Sequence, residues 1–80
     1  MKKIKDFLKK DYDMVEVRIT APKDFEEPDI FAGLFQIHKG KIISLDGDCY
    51  DEDQEVLSFE EWPDDETASG LTIVLQGNYA

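Results

Sequence analysis

The stretch FAGLFQIHKGKIISL, residues 31–45, contains the strongest fold signal in the chain. It consists of two runs rich in branched and aromatic residues, separated by Lys39-Gly40, a pair typical of a tight turn. The pattern therefore predicts a β-hairpin with strands at residues 31–38 and 41–45, in which His38 lies opposite Lys41. Alternation along these strands divides the apolar residues between two faces, with Phe35, Ile37 and Ile42 on one and Leu34, Ile43 and Leu45 on the other. Because both faces are partly apolar, we expect the hairpin to lie centrally in a sheet that is covered on both sides.

Three further segments have the composition of strands. Residues 14–20 (MVEVRIT) alternate between apolar and polar side chains, which is typical of a half-buried strand. Residues 55–62 (EVLSFEEW) predict a fourth strand, with a short helix as the alternative. Residues 71–77 (LTIVLQG) predict a fifth strand with its apolar residues on one face. The sequence therefore indicates a sheet of about five strands.

The N-terminus has a different periodicity. Ile4, Phe7 and Leu8 follow the i, i+3, i+4 spacing of a helix with one apolar stripe, and lysines occupy its other faces. Such a short helix is marginal alone, so we expect it to pack on the sheet. The predicted fold class is α+β: a short N-terminal helix packed on an antiparallel, meander-like sheet, in a single domain spanning residues 1–80.

Charge is unevenly distributed along the chain. The sequence has 19 acidic residues against nine lysines and arginines, and all nine bases precede residue 42. The eleven acids that follow are therefore unmatched by any base in their own half of the sequence. Such a chain would repel nucleic acid and anionic membranes and attract basic partners in a salt-sensitive manner. Solubility alone is the simpler explanation, because acidic side chains favour it.

The acidic residues of the second half, with two neighbouring aromatics, are the candidate partner-binding site. Extended, residues 46–53 would carry one charge per ~5 Å, which is sparser than duplex DNA at one charge per ~1.7 Å. Folding would have to gather several segments into one surface before the chain resembled a polyanion. The candidate set, called the acidic set below, comprises Asp46, Asp48, Asp51, Glu52, Asp53, Glu60, Glu61, Asp64, Asp65, Glu66, Tyr50 and Trp62.

Catalytic and metal sites are not indicated by the sequence. Asp46, Asp48 and Asp51 suggest a calcium loop. However, a loop starting at Asp46 has neither the glycine at position 6 nor the glutamate at position 12 that an EF-hand requires. Cys49 and His38, each the only residue of its type, are far apart in the predicted hairpin, with His38 exposed beside the turn and Cys49 half-buried. We therefore expect a protein that is not an enzyme and that has no cofactor and no specific metal site, with calcium-dependent binding as a minor alternative.

Three motifs give the chain a family resemblance: ISLDGDCY, SFEEW and LTIVLQGNY, within residues 43–79. In these segments it resembles short acidic accessory proteins of Firmicutes mobile elements and phages. Some members of that class block restriction enzymes or CRISPR effectors by occupying nucleic-acid-binding surfaces. The resemblance therefore implies an inhibitor or nucleic-acid mimic of the anti-restriction or anti-CRISPR type.

The leading hypothesis is a small cytoplasmic binding protein that engages a basic, nucleic-acid-binding protein through its acidic set, without contacting nucleic acid or membrane itself. The single cysteine favours a reducing compartment, and neither a bilayer-spanning apolar run nor a secretory leader is evident. The alternative is a structural or assembly module that forms a homodimer through the apolar face bearing Phe35, Ile37 and Ile42.

Overall fold

One mixed sheet dominates the computed structural model, which describes residues 2–47, 49–63 and 69–77. Its strands in the described residues are β1 (Tyr12–Thr20), β2 (Asp29–His38), β3 (Lys41–Ser44), β4 (Ser58–Glu61) and β5 (Gly70–Leu75). The order across the sheet is β3-β2-β1-β5-β4. β1 and β5 run parallel, and the other neighbouring pairs are antiparallel.

The register of the β2–β3 hairpin is confirmed. His38 pairs with Lys41 and Ile37 with Ile42, across a turn whose two residues both have positive φ angles. Positive φ at both positions matches the right-handed twist of the flanking strands. The predicted place of the hairpin is wrong, however, because β3 lies at the edge of the sheet. β5 occupies the far side of β1, so the hairpin is attached through β2 alone.

The predicted α+β class is wrong because no helix forms in the described N-terminal residues. Ile4–Phe7 make only a single 3-10 turn. The backbone N–H groups of Ile4 and Lys5 donate instead to the carbonyls of Gln54 and Glu52, at 3.0 and 2.9 Å. Because one turn already buries Ile4 and packs Phe7 and Leu8 on the core, nothing requires the helix to continue.

The predicted all-antiparallel meander is also wrong, since β5 pairs in parallel with β1. In this pairing Val15 lies beside Leu71 and Val17 beside Ile73, so the most apolar positions of both strands coincide. The β4–β5 hairpin therefore packs beside β1 rather than extending the sheet from β3. Alternation identifies the apolar face of a strand, but it does not specify the direction of its neighbour.

The two faces of the sheet differ in what covers them. One side, called the covered face, packs against the 3-10 turn and Val56 to form the core. The buried residues of this core are Ile4, Tyr12, Val15, Val17, Phe35, Ile37, Val56, Leu71 and Ile73. The opposite side, called the open face, carries the alternate residues of the strands. On it Phe31 and Ile43 are 54% and 43% exposed, and Leu45, two residues beyond Ile43, is 45% exposed.

The surface suggested for homodimerisation lies on the covered face. Phe35 and Ile37 are buried inside the chain, and Ile42 is half-buried beside them. The apolar side chains that remain exposed on the β2–β3 hairpin are those of its other face. Phe35 and Ile37 are therefore not accessible to a second copy of the folded chain.

Candidate functional site

The described members of the acidic set do not form one patch. Asp46 lies beside β2, residues 51–53 lie against the N-terminal 3-10 turn, and Glu60 and Glu61 point to opposite faces of β4. β2 and β4 are separated by two strands, about 14 Å at ~4.8 Å per strand. The remaining acids of the set, Asp48, Asp64, Asp65 and Glu66, lie outside the described residues.

The Asp46 carboxylate is used within the chain. It accepts hydrogen bonds from the Leu34 backbone N–H at 3.0 Å, the Ser44 hydroxyl at 3.0 Å and the Tyr50 hydroxyl at 2.8 Å. The centroid of the Tyr50 ring lies 4.8 Å from that of Phe35. The Tyr50 hydroxyl and the Asp46 carboxylate both lie over Gly33, where an added Cβ would approach the Tyr50 oxygen to 2.1 Å. Asp46 and Tyr50 therefore stabilise the exit from β3.

The segment at residues 51–53 is partly neutralised by Lys5. Lys5 Nζ lies 3.2 Å from the Asp53 carboxylate, and the Asp51 carboxylate accepts the Asp53 backbone N–H at 2.9 Å. An exposed ion pair of this kind contributes little to stability. It does reduce the negative charge that this segment presents to solvent.

Glu61 also makes an internal contact. It accepts a hydrogen bond from the Tyr12 hydroxyl, and Lys10 Nζ lies 3.7 Å away. Burial and the Glu61 carboxylate together raise the pKa of Tyr12 to about 12. The hydrogen bond from Tyr12, assisted by Lys10, lowers the pKa of Glu61. Glu61 thus joins β4 to the beginning of β1.

Glu60 lies in a different environment, a groove on the open face. The groove has a volume of about 550 Å³ and runs across β1, β5 and β4. Its lining residues are Glu16, Arg18, Asp29, Ser58, Phe59, Glu60, Thr72 and Val74. Only Glu60 among these belongs to the acidic set. The ring of Phe59 turns to the covered face, where its centroid lies 5.0 Å from that of Phe7.

Arg18 is fixed in the wall of this groove. Its Nε donates to the Asp29 carboxylate, one terminal nitrogen donates to the Asp29 carbonyl at 3.2 Å, and the other lies 3.6 Å from Glu16. The hydrogen bond to Asp29 raises the pKa of Arg18. The alternation in MVEVRIT placed Glu16 and Arg18 on one face, but Asp29 comes from β2 and could not be assigned to the same site.

Trp62, one of the two aromatic members of the acidic set, borders the groove. Its indole N–H donates to the Thr72 hydroxyl at 2.8 Å, and that hydroxyl donates to Glu16 at 3.3 Å. The ring lies over Gly70, where a Cβ would approach Trp62 Cε3 to 2.0 Å. The side chain is still 39% exposed, so one edge remains accessible to a partner.

The remaining chemical candidates are separate. His38 is exposed beside the turn as expected, with Nδ1 3.4 Å from Asp11, whereas Cys49 is exposed rather than half-buried. The part of the chain that the structure describes contains no group of three or more metal-ligating side chains. Nor does that part contain a helix of the length and hydropathy needed to cross a bilayer.

Comparisons with protein-family models, with curated proteins and with solved structures found no match to this chain.

Proposed function

We propose that this chain is a small acidic binding protein whose open face engages a basic protein partner in the cytoplasm. The observation that carries the proposal is the composition of that face. Exposed Phe31 and Ile43 lie on the same side of the sheet as a groove containing three carboxylates and one guanidinium. A contiguous exposed apolar patch with a polar rim is typical of a surface that binds another protein.

The overall charge favours a basic partner. The chain has a formal charge of −10, and four acids among the described residues pair with a lysine or arginine, namely Glu16, Asp29, Asp53 and Glu61. The remaining negative charge would accelerate association with a positively charged protein and would suppress association with polyanions. It also supports competition with nucleic acid for such a partner, although the described acids are too dispersed to imitate a phosphate backbone.

Partner capture followed by reconstitution tests the proposal. The immobilised protein would be used to capture partners from a lysate, and a captured protein would then be purified and its affinity measured at low and high salt. We expect a basic protein whose affinity falls at least about tenfold between roughly 50 and 300 mM NaCl. We also expect duplex DNA to compete with the complex if that partner binds nucleic acid.

Variants connect this result to the open face. Ile43→Ser should weaken the reconstituted complex, whereas Leu57→Ser removes an equally exposed apolar side chain from outside the proposed surface and should not. A complex that tolerates Ile43→Ser, or whose affinity does not change with salt, would contradict the proposal.

A homodimer is a second candidate because of the same exposed side chains. Leu34 is half-buried beside Leu45 at the β3 edge, so Phe31, Leu34, Ile43 and Leu45 form an apolar strip. Two copies joined through this strip would repel each other through their charge, so the dimer should strengthen with added salt. Sedimentation velocity at two salt concentrations separates the candidates, since a basic partner shows the opposite salt dependence.

A further inference from the structure

We propose that the groove on the open face receives an arginine or lysine side chain of the protein partner. This inference rests on the proposed function and names the part of the surface that would recognise the partner's charge. Its basis is the combination of one carboxylate that pairs with no cation among the described residues, a fixed polar wall and adjoining apolar surface.

The charge of the groove is not balanced by its own residues. Glu16, Asp29 and Glu60 contribute three negative charges, and Arg18 contributes one positive charge. Arg18 is already engaged by Asp29 and approached by Glu16. Within the described residues no cation pairs with Glu60, so its carboxylate is the group available to a cation from outside.

The polar wall is held in place before any partner binds. Arg18 is anchored on β2 through both the carboxylate and the carbonyl of Asp29, and Glu16 is positioned by Arg18 and by Thr72. Because these side chains are ordered by one another, a guanidinium or ammonium entering the groove would meet preorganised acceptors. Preorganisation reduces the entropy lost on binding.

The apolar lining matches the rest of a long basic side chain. The Val74 side chain lines the groove beside the carboxylates, and Trp62 borders it, because its indole N–H donates to Thr72 in the lining. Lysine and arginine place their methylene stems along apolar surface while the charged head contacts acceptors, and arginine also packs against aromatic rings.

A side chain of a protein is favoured over a free small cation by the surroundings of the groove. The same open face continues into exposed Phe31 and Ile43 on the β2–β3 half of the sheet. A small cation would leave these side chains in water, whereas a protein inserting one basic residue would cover them. The occupant we infer is therefore one basic residue within a larger contact.

A peptide titration tests the groove directly. The probe is a short peptide with one central arginine flanked by apolar residues, and its control is the same peptide with neutral citrulline in place of arginine. The indole N–H of Trp62 serves as the reporter, because the chain has a single tryptophan and this group bonds to the groove wall. We expect the arginine peptide to shift the indole NMR signal and the citrulline peptide to bind at least about tenfold more weakly.

Two matched variants separate the groove from the general negative field. Glu60→Gln should weaken the arginine peptide about tenfold, whereas Glu55→Gln removes the same charge at an exposed position outside the groove and should have an effect of about twofold or less. Nα-acetyl-arginine amide provides a third arm, and we expect it to bind much more weakly than the peptide.

The outcomes distinguish this inference from the proposed function. Equal effects of Glu60→Gln and Glu55→Gln, or an unmoved Trp62 signal on peptide binding, would overturn the groove assignment and leave binding of a basic partner intact. Equal affinity for the amide and the peptide would overturn the choice of a protein side chain. If neither the peptide nor any basic protein binds, both the inference and the proposed function fail.

Discussion

At the scale of single residues, the contact between Tyr12 and Glu61 joins the beginning of β1 to β4. Tyr12 is buried, and its hydroxyl donates to a carboxylate that is also close to Lys10. Glu61 therefore has an internal partner and differs from Glu60, its neighbour in sequence, which faces the groove. The distinction matters for mutagenesis, because changing both glutamates together would alter the fold and the proposed site at once.

The Tyr12 contact predicts a loss of stability at alkaline pH. The folded-state pKa is raised from 10.0 to about 12, so the stabilisation is complete below pH 10 and is lost as the pH rises towards 12. Absorbance titration should show one of the three tyrosines ionising near pH 12. In Tyr12→Phe this late transition should disappear, and a variant that retained it would refute the assignment to Tyr12.

Asp46 gives a second prediction at this scale. Asp46→Ala removes the acceptor for three hydrogen bonds, so we expect the free energy of unfolding to fall by about 1–3 kcal/mol in urea denaturation. Glu55→Ala is the control, since it removes a carboxylate from an exposed position, and it should change stability by less than about 0.5 kcal/mol. Equal effects of the two substitutions would show that the Asp46 contacts contribute nothing measurable.

At the scale of elements, the ring of Trp62, just after β4, packs closely on Gly70 at the start of β5. Gly70→Ala would place a Cβ 2.0 Å from Cε3 of the indole, which forces the ring to move and breaks its bond to Thr72. We expect a red shift of the tryptophan fluorescence and a loss of about 1–3 kcal/mol of stability. Ser58→Ala on exposed β4 is the control, and an unchanged spectrum in Gly70→Ala would contradict this packing.

The elements also show which parts of the fold were predictable. Alternation in residues 14–20 and 71–77 correctly identified β1 and β5, and the Lys39-Gly40 turn set the hairpin register. The pairing of β1 with β5 was missed because it depends on matching two apolar strands distant in sequence. The N-terminal helix was a wrong prediction because hydrogen bonds to residues 52 and 54 take the N–H groups of Ile4 and Lys5.

The candidate site was less predictable than the fold. Runs of acids in the sequence drew attention to residues 46–53, yet several of those side chains make contacts within the chain. The groove depends instead on Asp29, Arg18 and Thr72, which come from three strands and meet only after the sheet forms. A single sequence reports charges that are adjacent along the chain, whereas a site on an open sheet face is built from every second residue of several strands.

At the scale of the whole molecule, the formal charge of −10 on 80 residues opposes folding. Carboxylates repel one another more strongly in the compact state than in the unfolded chain, and the few internal ion pairs offset only part of that repulsion. Salt screens exposed charges within a Debye length, which falls from about 30 Å at 0.01 M to about 10 Å at 0.1 M. The balance between repulsion and ion pairing is therefore accessible to measurement.

We expect the stability of the protein to rise with salt, because screening weakens the repulsion between carboxylates more than it weakens the attraction within ion pairs. The midpoint of urea unfolding should increase between about 0.01 and 0.1 M NaCl at neutral pH. The double variant Glu26→Gln, Glu27→Gln reduces the formal charge from −10 to −8 in an exposed loop, so its midpoint should be higher at low salt and should depend less on NaCl. A midpoint that falls with salt would mean that pairs such as Lys5–Asp53 dominate the electrostatics of folding. The negative field proposed to attract a basic partner would then be smaller than the composition indicates, because more of it would be neutralised within the chain.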